Sequence, residues 1–79
     1  MNAKLQFKNV TTNYVFDIEH EGKKYHTTVW LNDKGKFIDD TIYFNNRELE
    51  YEGNEGEIRE DILTYLDENW DKLTAAAAL

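Results

Sequence analysis

Hydrophobic and polar residues alternate along the first half of the chain, which is typical of strands that bury one face. The first alternating segment covers residues 4–10 and places Leu5 and Phe7 on one side. A second segment places four residues on one face, namely Tyr14, Phe16, Ile18 and His20. Each segment is therefore predicted to be an amphipathic strand.

A tight turn at residues 21–23 joins the second segment to a third. Glu21-Gly22 and Gly22-Lys23 both suit a two-residue hairpin loop, and the choice between them stays open. Either loop places four residues of the third segment on the buried face of the second, namely Tyr25, Thr27, Val29 and Leu31. Because side chains alternate along a strand, Trp30 then points to the face opposite to that of Val29 and Leu31.

Residues 37–44 form the next predicted strand, and two registers are open for it. A type I turn with Gly35 in the bulge position points three residues inward, namely Phe37, Thr41 and Tyr43. A four-residue loop instead points three others inward, namely Ile38, Ile42 and Phe44. We favour the second register because it buries more aliphatic surface and exposes Asp39. It leaves Asp40 facing inward near the strand centre, a cost that the sequence does not explain.

From Glu57 to Leu73 the spacing of the apolar residues changes to the 3.6-residue period of a single amphipathic helix. Its apolar stripe consists of Ile58, Ile62, Leu63, Tyr65, Leu66, Trp70 and Leu73. Asn54 and Glu57 have the spacing of a capping box, which would satisfy the first amide donors. Just before the helix, Leu49 and Tyr51 alternate with acidic residues and indicate a short edge strand.

The predicted fold is α+β: an antiparallel β-meander of about four strands, with one C-terminal amphipathic helix packed on one face. We expect the helix to pack on Phe7, Phe16, Ile18, Val29 and Ile42. Residues 1–75 are predicted to form a single small domain. Residues 76–79 resemble the remnant of an expression tag and are set aside.

Charge is distributed unevenly along the 79 residues, whose net charge is −7. Residues 1–44 hold six acids and six bases, whereas residues 45–79 hold ten acids and three bases. Direct binding to nucleic acid or to an anionic membrane is disfavoured, because both need a basic surface. A protein partner with a basic surface is expected instead. The chain has no cysteine and no long apolar run, so a cytoplasmic location is expected.

Six acids share an arc of about 120° on the predicted helix, opposite its apolar stripe. They are Glu57, Glu60, Asp61, Asp67, Glu68 and Asp71. Carboxylates near a helix C-terminus oppose its dipole, so the last three are unfavourable for folding. Over about 21 Å of helix the six acids give roughly one charge per 3.5 Å, close to the ~3.4 Å along one DNA strand. The main interpretation is a solvated face, and the alternative is a mimic of nucleic acid.

The outward face of the sheet carries Trp30 together with Val15, His26 and Thr28. One helix cannot cover both faces of a sheet, and clustered apolar residues on a surface usually mark a contact. We therefore expect a homodimer or a partner contact on this face.

No sequence motif of catalysis or cofactor binding is found. Alternation places His20 and His26 on opposite faces, so that one zinc ion would not reach both. We expect no cofactor, no metal and no enzymatic activity, and we predict a small acidic protein–protein interaction module. Its size and composition are typical of compact phage- or plasmid-type accessory proteins. The alternatives are an acidic nucleic-acid mimic that inhibits a DNA- or RNA-binding protein, and a small metal- or ligand-binding domain.

Overall fold

The computed structural model describes residues 1–8 and 13–75 and confirms the predicted α+β meander. Five antiparallel strands lie side by side in chain order. They are β1 (Asn2–Lys8), β2 (Asn13–His20), β3 (Lys23–Leu31), β4 (Phe37–Phe44) and β5 (Arg47–Glu48). Two helices follow, α1 (Gly53–Glu68) and α2 (Trp70–Thr74). Residues 76–79, predicted to be a tag remnant, lie outside the described residues.

The hairpin between β2 and β3 fixes which side chains face the helices. Glu21 and Gly22 both have positive φ, 52° and 77°, as a two-residue type I′ loop requires. His20 therefore pairs with Lys23, and Phe16 pairs with Thr27 across the two strands. The predicted common face is confirmed, because Phe16 and Thr27 are both buried.

A bulge in β4 combines parts of both predicted registers. Leu31 pairs with Phe37, but the next pair is Trp30 with Asp39, so Ile38 is an extra residue in the strand. Phe37 is therefore half-buried against the core, whereas Ile38 is 63% exposed. The expected burial of Ile38 is wrong. Beyond the bulge, the favoured register is confirmed in that Ile42 is fully buried and Phe44 packs against the core.

The C-terminal helix begins earlier than predicted and is interrupted. Gly53, with φ of 69°, turns the chain into α1, and Glu52 is the N-cap without a side-chain capping bond. The predicted capping box is therefore wrong, because Asn54 and Glu57 both lie inside the helix. Asn69 separates α1 from α2 with φ of −113° and ψ of 15°, and its Nδ2 donates to the Tyr65 carbonyl at 2.9 Å.

The core lies between the sheet and the helices. Its fully buried aliphatic residues include Ile42 from the sheet and Ile62 and Leu66 from α1. Trp70 of α2 packs its indole against three aromatic rings, those of Tyr14, Phe16 and Phe37, at centroid distances of 4.7, 5.6 and 5.2 Å. The expected packing of Phe7 concerns a side chain that lies outside the described part of the chain. Over residues 1–8 and 13–75, neither helix has the length and apolar composition to span a bilayer.

Candidate functional site: an acidic helix face and an open sheet face

The six predicted acids all have exposed side chains on the solvent side of the helices, and we call them the acidic face. Five lie on α1, namely Glu57, Glu60, Asp61, Asp67 and Glu68, and Asp71 lies on α2. The break at Asn69 changes the role expected for Asp71. This residue lies in the first turn of α2, where a carboxylate favours the helix dipole, so the expectation that it opposes a dipole is wrong.

The acidic face has little internal charge compensation. In the described part of the chain, its only ion pair joins Asp61 to His20 at 3.9 Å. No ion pair forms between Glu68 and Lys72, which lie on opposite sides of the break at Asn69. An attraction between them, which their one-turn spacing would favour in a continuous helix, is therefore absent. The charges of this face are left to solvent, or to a partner.

The two arginines of the chain are both engaged away from the acidic face. Arg59 on α1 is only 6% exposed and donates from Nη2 to Oδ1 of Asp40 on β4. Its guanidinium also lies over the Tyr51 ring, 4.1 Å from the centroid. This pair explains the inward position of Asp40, because a partly buried carboxylate needs a counter-charge. The sequence analysis did not predict that Arg59 and Asp40 form a pair.

Arg47 is the second engaged arginine, and it binds Glu55 in the first turn of α1. Its Nη1 donates to Glu55 Oε1 at 3.1 Å, and the same oxygen accepts the Glu50 amide at 2.7 Å. The hydrogen bonds from Arg47 and then from the Glu50 amide lower the pKa of Glu55 to about 2. Glu55 thus links β5, the following turn and the helix.

The opposite side of the sheet, which faces away from the helices, is here called the outer face. Across β2, β3 and β4, strand register brings Val15 beside Thr28, and Thr28 beside Thr41. Trp30 and Val15 are half-buried on this face, as their neighbours shield part of each side chain. Ile38 and Tyr43, which are 63% and 38% exposed, add apolar surface that the sequence prediction missed. The bulge turns Ile38 outward.

The two histidines lie on opposite sides of the sheet, as predicted. His26 is exposed on the outer face, and its Nδ1 lies 2.6 Å from Asp17 Oδ1. His20 faces the helices and lies near Asp61. Among the residues that the structure describes, no three potential metal ligands come together. The nine predicted site residues therefore form two separate surfaces, the acidic face and the outer face.

Comparison of the chain with protein-family models, with curated proteins and with solved structures gave no match. The function is accordingly inferred from the chain's own surfaces.

Proposed function

We propose that this protein is a small non-enzymatic binding module whose acidic face contacts the basic surface of another protein. The observation that carries the proposal is the exposure of six carboxylates, of which only Asp61 lies within 4 Å of a described basic group, the His20 imidazole. A charged face with so little internal compensation attracts an oppositely charged surface and speeds its association.

The placement of the nearby arginines supports this proposal. Arg59 and Arg47 could in principle have neutralised the acidic face, but each is held by another carboxylate, Asp40 and Glu55 respectively. Both arginines are thus held away from the acidic face. Lys72 is the remaining base in residues 45–79, and it makes no ion pair with a described residue. The face retains a net negative charge that a basic partner can neutralise.

A narrower version of this function is mimicry of nucleic acid, and the spacing of the acids along α1 favours it. Five carboxylates lie between Glu57 and Glu68, a rise of about 16 Å at ~1.5 Å per residue. Dividing this rise by the five charges, as for the six acids above, gives roughly one charge per 3 Å, near the ~3.4 Å of a single DNA strand. In this version the partner is a protein whose basic surface otherwise holds DNA or RNA.

The test compares the unmodified protein with two variants of equal charge. The first is Asp67→Asn/Glu68→Gln/Asp71→Asn, which neutralises one end of the acidic face. The control neutralises three exposed acids elsewhere, in Glu19→Gln/Glu21→Gln/Asp33→Asn. Each protein is immobilised and used to capture partners from lysate, and binding to a purified captured partner is then measured between about 50 and 200 mM salt.

The proposal predicts that the acidic-face variant loses at least about tenfold in affinity and that its dependence on salt becomes shallower. The control variant should bind like the unmodified protein. Equal affinity for all three proteins, or binding that is indifferent to salt, would exclude the acidic face as the contact. Mimicry further requires that a DNA or RNA duplex competes with this protein for the same partner, and failure to compete would exclude that version alone.

A further inference from the structure

One row of polar side chains crosses all five strands on the outer face. Strand register places Lys4 beside Asp17, Asp17 beside His26, His26 beside Tyr43, and Tyr43 beside Glu48. We call these five residues the cross-sheet row. A positive charge stands at one end on β1, a negative charge stands at the other on β5, and His26 occupies the centre. Directly paired residues of neighbouring antiparallel strands share a face, so the row is continuous.

No described element covers the outer face, because both helices pack on the other side of the sheet. The next outward row contains Val15, Thr28 and Thr41, and Trp30 lies one row further along β3. The outer face also differs from the acidic face in charge, since it carries lysines as well as acids. A sheet face that is open, partly apolar and mixed in charge is suited to packing against another sheet.

We infer that the outer face binds a second copy of this chain, with a two-fold axis parallel to the strands and passing over β3. Such an axis reverses the order of the strands, so β1 lies opposite β5 of the second copy and β3 lies opposite its own equivalent. Lys4 then faces the second copy's Glu48, and Asp17 faces its Tyr43. Each contact occurs twice, as an isologous interface requires.

The ends of the cross-sheet row make this arrangement specific. Lys4 and Glu48 are the only members with opposite full charges at the two edges of the sheet, and the axis brings them together. The hydroxyl of Tyr43, which is 38% exposed, comes opposite the carboxylate of Asp17, which can accept its hydrogen bond. The arrangement also suits the apolar neighbours, because sheets packed face to face lie about 10 Å apart and exclude water between them.

The net charge of −7 does not oppose this association, because six of the acids lie on the acidic face, away from the interface. The acidic faces lie on the far sides of both sheets, outside the helices. Two helix layers and two sheets separate them by well over the ~8 Å Debye length at physiological salt. The dimer thus leaves both acidic faces accessible. Dimerisation and the proposed function therefore do not depend on one another.

The test uses two charge reversals, Lys4→Glu and Glu48→Lys. In each single variant, two like-charge contacts replace the two attractive ones, and association should weaken at least about tenfold. An equimolar mixture of the two variants should associate, because the two substituted side chains then face each other with opposite charges and the second contact remains Lys4 with Glu48. Sedimentation equilibrium from about 10 µM to 1 mM measures the change from 9.4 kDa to twice that mass. Far-UV circular dichroism checks that each variant is folded.

Glu60→Lys, on the acidic face, changes the charge by as much as Glu48→Lys and is the matched control, which should dimerise like the unmodified protein. If Lys4→Glu does not fold beside Asp17, Glu48→Lys is compared with Lys4→Gln/Glu48→Lys. The double variant should associate more strongly, because no lysine then faces another lysine across the interface. The inference is overturned if the unmodified protein stays monomeric at about 1 mM, or if its dimer is unaffected by the single reversals. A mixture of folded single variants that does not associate would also overturn it.

Discussion

Replacing Asp40 with alanine tests the buried ion pair that joins the sheet to the helix. The side chain of Arg59 is 7% exposed and that of Asp40 is 23% exposed, so solvent screens their interaction only in part. Asp40→Ala leaves the guanidinium buried beside the core without a counter-charge. None of the described residues accepts a hydrogen bond from Arg59 Nη1, whereas Asp40 accepts one from Nη2.

The expected cost is roughly 3 kcal/mol, because removing one partner of a buried pair typically costs 3–5 kcal/mol and Asp40 is not fully buried. A domain of this length has a total stability of roughly 4–12 kcal/mol. The expected loss is therefore a large part of the total free energy of unfolding. At about 4–8 °C per kcal/mol for a small domain, the midpoint of thermal unfolding should fall by roughly 12–24 °C.

Urea and thermal unfolding, followed by far-UV circular dichroism, measure this loss in a double-mutant cycle. The second single variant is Arg59→Met, which keeps an apolar side chain of similar length and removes the charge. The double variant Asp40→Ala/Arg59→Met has no buried charge at this position. It should be more stable than Asp40→Ala alone, because no unpaired guanidinium remains.

Two results would refute this reasoning. One is a cost for Asp40→Ala below about 1 kcal/mol, which would mean that Arg59 finds water or another partner without difficulty. The other is additivity of the two single changes within about 0.5 kcal/mol, which would mean that Asp40 and Arg59 act independently.

The remaining predictions concern acidity, the helix ends and the aromatic packing. The pKa of Glu55 is lowered to about 2 from 4.5, so its contribution to stability is complete above pH 4.5 and is lost as the pH falls toward 2. Glu55→Gln should therefore flatten the decline of the urea midpoint over this range, and an unchanged slope would contradict the assignment. Asp67→Asn/Glu68→Gln should raise stability by roughly a few tenths of a kcal/mol, because both acids oppose the dipole at the end of α1. Asp71→Asn, the comparison on α2, should not raise stability in the same thermal assay, and an equal gain for each neutralised acid would argue for one continuous helix. Trp70→Ala should cost roughly 3 kcal/mol by urea unfolding, since the indole packs on three rings, and a cost below about 1 kcal/mol would contradict this packing.

The strand pairing and the acidic face could be predicted because each depends on a local pattern. Glu21-Gly22 sets the parity of β2 and β3, and alternation then decides which side chains are buried. In the same way, the 3.6-residue period of a helix separates acids from apolar residues wherever the helix is continuous. The interruption at Asn69 is not visible in that period, so the prediction for Asp71 is wrong.

The ion pair between Arg59 and Asp40 leaves a signal in the sequence that the prediction missed. Arg59 lies about 60° from Ile62 at ~100° per residue, inside the apolar stripe between Leu66 and Trp70. A cation within an apolar stripe and an acid on the inward side of a strand are each unfavourable alone. Considered together they predict a contact between helix and sheet. The bulge in β4 has no comparable signal, because Phe37 and Ile38 are both apolar and either could face the core.

Because of the bulge, β4 contains one extra residue without any change in which of its other side chains are buried. Without Ile38, the chain would run from Phe37 directly to Asp39, and strict alternation would still place Phe37, Asp40 and Ile42 on the buried side. Ile38 is thus equivalent to a one-residue insertion that the sheet absorbs locally, without a register change further along. The fold can accommodate a change of chain length at this position, whereas the loss of one residue between Asp40 and Ile42 would turn one of them away from the core.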